Sequence, residues 1–354
     1  MKFMRTPSGV TTALLALTLV AGSAGAQDAK PAADWTKKLT FASPDGKFEL
    51  ELGSRVQVRY TYLDPDNGDS TGSFRIRRAK LALSGHVYDD WKYKIQAVWS
   101  GGSTTLEDAY FQYAANPMAQ AWLGQGKAFF GRQELTSSGK QQFVDRSIVS
   151  SRFAHGRDQG IALVGVVPSK VLEYQVGLYN GNGINKSSND NGDYLTTARV
   201  AWMPLGEYKL EESALDYPAS PKVSVGLAGL QNTTGTGATE VDVQRLNAEL
   251  AFKWQGVNAV AEYYTEDAEP VSGSSVDTDG YYAQLGYLFP NKTFEVAARH
   301  AVISRDGVDD DTEDLLGLSW YLGKHDYKLQ ADFGVIEQGG KERNEGRLQL
   351  QIAF

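Results

Sequence analysis

The sequence predicts an all-β fold, a single transmembrane antiparallel β-barrel of about 16 strands with one loop folded into its lumen. Three observations predict it. Apolar and polar residues alternate with a period of two in segments of about ten residues. The connections between segments alternate between long polar loops and tight turns, and the chain ends on an aromatic residue, Phe354, that belongs to an apolar face.

The first segment, residues 47–62, shows the alternation most clearly. Its apolar face carries Phe48, Leu50, Leu52, Val56, Val58, Tyr60 and Tyr62. A tilted membrane strand needs about 9–11 residues, whereas a soluble strand usually has about five or six. The pattern recurs, which gives about sixteen strands in all; the other predicted strands are 74–87, 91–100, 105–115, 119–127, 159–167, 171–180, 194–203, 222–231, 241–254, 257–265, 280–288, 293–304, 315–322, 327–337 and 346–354.

A soluble β-sandwich is the alternative fold, because alternating strands and Gly-rich turns suit it equally well. Strand length, the even strand count and aromatic residues near strand ends favour the barrel. In a barrel the apolar faces contact outer-membrane lipid and the polar faces line water. One connection, residues 204–221, is long although it falls on the periplasmic side, and the pattern gives no account of it.

The N-terminus carries an export signal. Lys2 and Arg5 precede an apolar run at 10–20 and the small residues Ala24-Gly25-Ala26, which is the pattern of a cleaved secretory signal peptide. We therefore expect the protein in the outer membrane of a Gram-negative type of cell. The predicted organisation is a signal peptide at 1–26, a periplasmic leader at 27–46 and a transmembrane barrel at 47–354.

The composition excludes several classes of function. The chain has no cysteine, and its formal net charge of -8 argues against a nucleic-acid partner. The four histidines are dispersed, and no catalytic or metal-binding motif is present. We therefore expect a channel with no catalytic residues, no cofactor and no metal site. An outer-membrane barrel enzyme and a barrel with a plugged lumen are the alternatives.

The polar strand faces are predicted to line an aqueous lumen with an excess of basic residues. Arginine stays charged at physiological pH and binds oxyanions such as phosphate bidentately. The run 74–78 breaks the alternation, which predicts a bulge that aims both Arg77 and Arg78 inward. The alternative for any single base is that it pairs with a lumen acid. The predicted anion-binding residues are Arg55, Arg59, Arg77, Arg78, Lys80, Arg199 and Arg299.

The segment 127–158 is too apolar for an external loop, yet it carries many bases. It is predicted to fold inward after the fifth strand and to narrow the pore, where each charge acts more strongly. The alternative is that Arg146 and Arg152 only anchor the loop to carboxylates of the wall. The predicted constriction residues are Lys127, Arg132, Lys140, Arg146 and Arg152.

Several runs together resemble the phosphate-selective porin O and P family of outer-membrane anion porins, and the resemblance covers residues 41–354. They are Phe74-Arg75-Ile76-Arg77-Arg78-Ala79-Lys80, Asp108-Ala109-Tyr110, Gly124-Gln125-Gly126-Lys127, Phe143-Val144-Asp145-Arg146-Ser147, Tyr179-Asn180-Gly181-Asn182-Gly183 and Leu318-Ser319-Trp320-Tyr321-Leu322.

The resemblance implies a sixteen-stranded homotrimeric channel that passes small anions such as phosphate or polyphosphate by passive diffusion. It also implies an arginine ladder along the wall and a constricting third loop. A general diffusion porin with weak selectivity is the alternative function. The family's ladder falls here on Arg55, Arg59, Arg77, Arg78 and Arg199, and its constriction on Lys127, Arg132, Lys140 and Arg146.

Overall fold

The computed structural model describes residues 39–354, and their strands form one antiparallel sheet closed into a barrel. The strands are β1 (Leu39–Ala42), β2 (Phe48–Pro65), β3 (Thr71–Val87), β4 (Trp91–Ser100), β5 (Ser103–Tyr113), β6 (Gln120–Lys127), β7 (Arg157–Val166), β8 (Leu172–Tyr179), β9 (Leu195–Trp202), β10 (Lys222–Thr234), β11 (Val241–Trp254), β12 (Val257–Pro270), β13 (Val276–Leu288), β14 (Phe294–Arg305), β15 (Val308–Gly323), β16 (Tyr327–Gln338) and β17 (Lys341–Ala353). Two short helices, α1 (Arg132–Leu135) and α2 (Ile148–Phe153), lie between β6 and β7, and a 3-10 turn, Gly237–Thr239, precedes β11. No helix in this part of the chain is both long and apolar enough to cross a membrane.

Strands β2 to β17 form the barrel wall, and each pairs with its neighbours along the chain. The barrel closes where β17 pairs with β2, with Leu348 opposite Tyr60 and Ala353 opposite Arg55. The backbone of Phe354 continues this closure, because Ser54 N donates to its carbonyl oxygen at 3.0 Å. The structure thus confirms the predicted fold class, a closed barrel of sixteen antiparallel strands.

The N-terminal part of the chain differs in one respect from the predicted leader. The signal peptide and residues 27–38 lie outside the described residues. Within the rest of the leader, β1 pairs with the periplasmic end of β2, with Leu39 opposite Leu52. Because β17 reaches only as far as Arg55 on β2, β1 occupies the edge of β2 that β17 leaves free.

The polarity of the barrel is inverted relative to a soluble protein. Val56, Leu348 and Ile352 are 42%, 46% and 45% exposed on the outer face, whereas Gln57 and Gln349 are 0% and 1% exposed on the inner face. A two-sheet sandwich would enclose the first group. The outer face therefore suits hydrocarbon and the inner face suits water and polar contacts.

Aromatic side chains gather near both ends of the strands. At the periplasmic end, Trp91 packs against Tyr113 with ring centroids 5.1 Å apart, and Phe294 stacks on Trp320 at 5.6 Å. At the extracellular end, Tyr60 packs against Phe74 at 4.8 Å. Aromatic rings prefer the membrane–water interface, so these pairs mark the two edges of the apolar band.

The sixteen predicted strands correspond one to one with β2 to β17, but several predicted loops are strands. Residues 266–270 extend β12, and the acidic run 308–314 belongs to β15. Ladder hydrogen bonds continue above the membrane, where both faces of a hairpin meet water and apolar alternation is no longer needed. The alternation therefore revealed only the part of each strand that contacts lipid.

Leu318 provides a direct test of the lipid-facing surface, since it lies in the lower half of β15 and is 62% exposed. We expect Leu318→Arg to lower the free energy of unfolding by about 2–4 kcal/mol, the cost of an arginine near the bilayer midplane. Urea titration of the barrel folded in phospholipid vesicles measures this. Val308→Arg, on the exposed extracellular start of β15, is the matched control and should change stability by less than about 1 kcal/mol. Equal effects of the two variants would contradict the assignment of the lipid face.

Candidate pore constriction

Residues 128–156, hereafter the constriction loop, fold into the lumen and pack against the wall from β10 to β17. The backbone N–H groups of Arg132 and Gln133 donate to the two carboxylate oxygens of Glu262, at 2.7 and 2.8 Å. Tyr264 and Tyr282 donate to the same carboxylate at 2.8 and 2.6 Å. Because a buried carboxylate is stable only when its oxygens are hydrogen-bonded, Glu262 fixes the start of α1.

The middle of the constriction loop is held by side chains of β14 and β16. Val144 N donates to Asp332 at 3.0 Å, and the Nζ of Lys328 donates to the Gln141 carbonyl at 2.9 Å. Arg299 donates to the Asp145 carbonyl at 3.0 Å and pairs with Glu313 of the wall. Apolar packing adds to this, since Phe153 stacks on Tyr264 with centroids 5.2 Å apart.

The connection that the pattern left unexplained, residues 204–221, also enters the lumen, and we call it the inner connection. The carboxylate of Glu212 is buried and accepts hydrogen bonds from Gln142 N at 2.7 Å and from Gln133 Nε2 at 3.1 Å. Ser213 donates to Glu295 of β14 at 2.7 Å, and the Arg132 guanidinium lies 4.6 Å from the Tyr208 ring centroid. The inner connection thus supports the constriction loop from the periplasmic side.

The constriction loop leaves a cavity of about 530 Å³ between itself and the wall from β2 to β8. Eight basic residues line this cavity, against two acidic ones, Glu107 and Asp108. We call this cavity the passage. The basic residues are Arg55, Arg77, Arg78, Lys80, Lys94, Lys127, Arg146 and Arg157.

Two β-bulges set the charges of the passage. In the pairing of β2 with β3 the extra residue is Arg77, and in the pairing of β4 with β5 it is Glu107. A bulge lets two consecutive residues point to the same side of the sheet. As a result Arg77 with Arg78, and Glu107 with Asp108, all line the passage. The first bulge is the one that the sequence predicted.

The two acids neutralise part of the basic wall. Asp108 accepts from Lys94 and from Arg157, both at 2.7 Å. Glu107 pairs with Lys80 and lies 3.5 Å from Arg157. Three bases, one each from β3, β4 and β7, therefore share these two carboxylates. Arg77 and Arg78 of β3 lie near a different acid.

That acid is Asp145 of the constriction loop. Its carboxylate lies 2.5 Å from Arg59, 3.4 Å from Arg77 and 3.7 Å from Arg78. Burial disfavours ionisation, but the hydrogen bond and charge of Arg59, together with Arg77 and Arg78, hold the pKa of Asp145 well below its usual value. The carboxylate therefore stays ionised at any physiological pH, and it shares one negative charge among three arginines.

Two buried donors of the passage lack an acceptor within residues 39–354. The Nε–H groups of Arg55 and Arg77 are both buried without a hydrogen-bond partner. The other nitrogens of Arg55 donate to the hydroxyls of Ser137 and Ser138, at 3.1 and 2.9 Å, rather than to a carboxylate. Within the described residues, Arg55 thus hydrogen-bonds to neutral hydroxyls and forms no direct salt bridge.

The remaining predicted residues lie outside the open part of the passage or at its border. Arg199 is enclosed by Glu249 and Glu173, at 2.6 and 2.7 Å. Arg152 binds Glu266 at 2.6 Å, and the exposed Lys140 lies 3.5 Å from Glu211.

Lys127 and Arg146 border the passage, but their side chains donate hydrogen bonds to backbone carbonyl oxygens of the constriction loop. Lys127 donates to the carbonyl oxygens of Glu134 and Thr136 at the end of α1. Arg146 donates to the Thr136 carbonyl at 3.0 Å and lies 3.1 Å from the Glu134 carboxylate. These two bases fix the shape of α1 as well as the charge of the passage.

The sequence prediction of the site omitted Lys94, Glu107 and Arg157, all of which line the passage. For Glu107 a signal was present. Leu106 and Ala109 lie three residues apart, which breaks the alternation just as the arginine run of β3 does. Arg157 lies at the first position of β7, where the alternation alone does not fix the register.

A wide transmembrane barrel of sixteen strands, narrowed by an inward loop and lined by polar residues, defines an outer-membrane porin. A sequence model described as phosphate-selective porin O and P matches residues 50–345. The chain belongs to the phosphate-selective porin O and P family, which confirms the resemblance found in the sequence.

Relatives and solved structures agree with this assignment. Porin O of Pseudomonas aeruginosa is 22% identical over 350 residues, which cover 86% of this chain and 78% of that protein. An anion-selective porin from Comamonas acidovorans has a TM-score of 0.66 at 13% identity, covering 86% of this chain and 99% of that one. The outer membrane channel DcaP of Acinetobacter baumannii has a TM-score of 0.59 at 13% identity, covering 89% and 99%. At these identities the two structures show a shared fold.

The contact between the inner connection and the constriction loop can be tested at Glu212. We expect Glu212→Ala to raise single-channel conductance and open-channel current noise, because two buried donors, Gln142 N and Gln133 Nε2, lose their acceptor at a cost of about 1–3 kcal/mol each. Recordings from planar lipid bilayers measure both quantities. Asp216→Ala removes an exposed carboxylate from the same connection and should behave like the wild type. A folded Glu212→Ala channel with unchanged conductance and noise would contradict the supporting role.

Proposed function

We propose that this porin lets small anions, phosphate among them, diffuse passively across the outer membrane through the passage. The single observation that carries the proposal is the charge of the cavity, in which eight basic side chains face two acidic ones. The Arg77 side chain is 33% exposed, so its guanidinium can donate to a passing oxyanion or halide.

The electrostatics of the passage favour anions over cations. Two unit charges about 7 Å apart interact by about 2 kcal/mol at an effective dielectric constant near 20. Counting Asp145 and Glu134 of the constriction loop with the two wall acids, four carboxylates face the eight bases of the passage. An anion therefore meets a net positive wall, and its attraction is strongest where the loop excludes water.

The predicted bases divide into two groups in this proposal. Arg55, Arg77 and Arg78 contact the permeating anion, together with the partly neutralised Lys80, Lys94 and Arg157. Arg59, Arg199 and Arg299 hold the frame, because each is fully buried against a carboxylate. Charges that are paired in this way fix geometry and add little net field.

The proposal also includes how the protein is exported, in which membrane it resides and how it assembles. The first 26 residues act as the cleaved signal peptide, and the barrel resides in the outer membrane of a Gram-negative type of cell. We propose a homotrimer, as the family resemblance implies. One OmpT of Vibrio cholerae, with a TM-score of 0.55 to this chain, was solved in a trimer form.

The anion preference is tested by the reversal potential of reconstituted channels in a potassium chloride gradient. We expect the wild type to prefer chloride and Arg55→Gln to lower the permeability ratio of chloride to potassium about three- to ten-fold, because the variant removes a positive charge of the passage that hydrogen-bonds to hydroxyls rather than to a carboxylate. Lys324→Gln, in an exposed periplasmic turn, removes the same charge outside the passage and should leave the ratio unchanged. Equal permeability of both ions in the wild type would favour a general diffusion porin, and cation preference would overturn the proposal.

Phosphate binding is tested separately from charge preference. We expect millimolar phosphate to reduce the chloride current of the wild type, because oxyanions bind arginine bidentately and occupy the passage longer than chloride does. The reduction should be weaker in Arg77→Gln, which removes one of the two donors without an acceptor. A chloride current that is insensitive to phosphate would identify the channel as a simple anion sieve.

A further inference from the structure

One side of the passage is apolar, next to its basic wall. Tyr110 of β5, Val164 of β7, and Phe129 and Leu135 of the constriction loop line the same cavity as the eight bases. All four side chains are only partly buried. A lumen that served only hydrated inorganic ions would not need apolar surface beside its basic wall, because such ions gain nothing from it.

These side chains form the edge of a larger aromatic group. Trp122 lies between Tyr110 and Phe129, with ring centroids 5.3 and 6.2 Å away. Gly126 permits this arrangement, because a Cβ atom there would lie 2.8 Å from the Trp122 ring. The backbone thus leaves room for the rings to lie against the wall.

The position of this edge relative to the charges is set by the strand. Tyr110 follows Asp108 by two residues in β5, so both side chains point into the lumen about 7 Å apart along the strand. Asp108 holds Lys94 and Arg157 at that level. A molecule with a negative group at the bases therefore has its body beside Tyr110 and Phe129.

Packing of the loop alone does not explain the exposed edge. Rings that serve only to fix the constriction loop, such as Phe130 and Phe153, are 1% and 0% exposed. Tyr110, Phe129 and Val164 pack against the same buried cluster but keep part of their surface toward the passage. Apolar surface left in contact with water is stabilised when an apolar ligand covers it.

We infer that the passage preferentially admits organic anions that combine a carboxylate or similar oxyanion with an apolar, aromatic body. The inference rests on the proposed anion function and names the class of solute that the same passage favours. The charged group is held by the arginines and lysines, and the ring slides along Tyr110, Phe129 and Leu135.

The experiment compares three carboxylates as blockers of the chloride current in planar bilayers: acetate, cyclohexanecarboxylate and benzoate. We expect benzoate to block half of the current at a concentration about five- to ten-fold lower than acetate. Cyclohexanecarboxylate should lie between them, because both rings bring apolar surface that is covered on binding, whereas only benzoate can stack on aromatic rings. In Tyr110→Ser and Phe129→Ser the three values should converge to within about two-fold. Tyr88→Asn removes an exposed ring from a periplasmic turn and is the control. The three carboxylates should block its chloride current at the same concentrations as in the wild type.

The possible results separate failure of the inference from failure of the proposed function. If the wild type prefers anions but is blocked equally by acetate and benzoate, the inference fails while the proposed function stands. If the wild type prefers cations, the proposed function is contradicted, and the inference that rests on it is contradicted as well. If the serine variants do not fold, the comparison of the three carboxylates on the wild type decides the question by itself. If benzoate keeps its advantage in folded serine variants, the apolar edge is not the site and the inference is rejected.

Discussion

The structure depends on a single constraint, which is that the barrel wall has hydrocarbon on one side and water on the other. Apolar residues such as Leu318 lie outside, and buried polar residues such as Gln57 and Asp332 lie inside. The inner polar residues have two structural roles. Those of β10 to β17, together with Gln57 and Arg59 of β2, bind backbone groups of the constriction loop and the inner connection. Those of β3 to β8 mostly face the passage. The lumen is therefore divided into a packed half and an open half.

This division explains why so many charged residues are buried in a channel. The carboxylates of Glu262, Glu212 and Asp332 accept hydrogen bonds from loop backbone N–H groups. A loop crossing a lumen has unsatisfied backbone donors, and wall carboxylates satisfy them without closing the pore. Buried arginines such as Arg199 then neutralise other wall carboxylates. The result is a fixed loop that faces a wall carrying most of the positive charge of the passage.

The alternation of residue types was sufficient to predict the barrel and the number of strands, because the pattern recurs in every strand. It also predicted the bulge at Arg77, because a bulge interrupts the alternation within a single strand. It was not sufficient to predict which bases remain free. Arg199 and Arg55 have the same local pattern, yet Arg199 meets Glu249 of β11, two strands away, and Arg55 meets two serines from the loop. Pairing of that kind depends on how the loop folds. The inner connection had no periodicity to indicate its path, because its residues are held by tertiary contacts such as those of Glu212.

In the proposed function, anions cross the lumen in the half between the constriction loop and β2 to β8. Crystals of the protein grown in sodium bromide, with data collected at the bromine absorption edge, test it most directly, because bromide occupies halide sites and can be located by its anomalous signal. We expect anomalous peaks in the passage beside Arg55 and Arg77. Peaks only on the opposite side of the loop, or none in the lumen at saturating bromide, would contradict it.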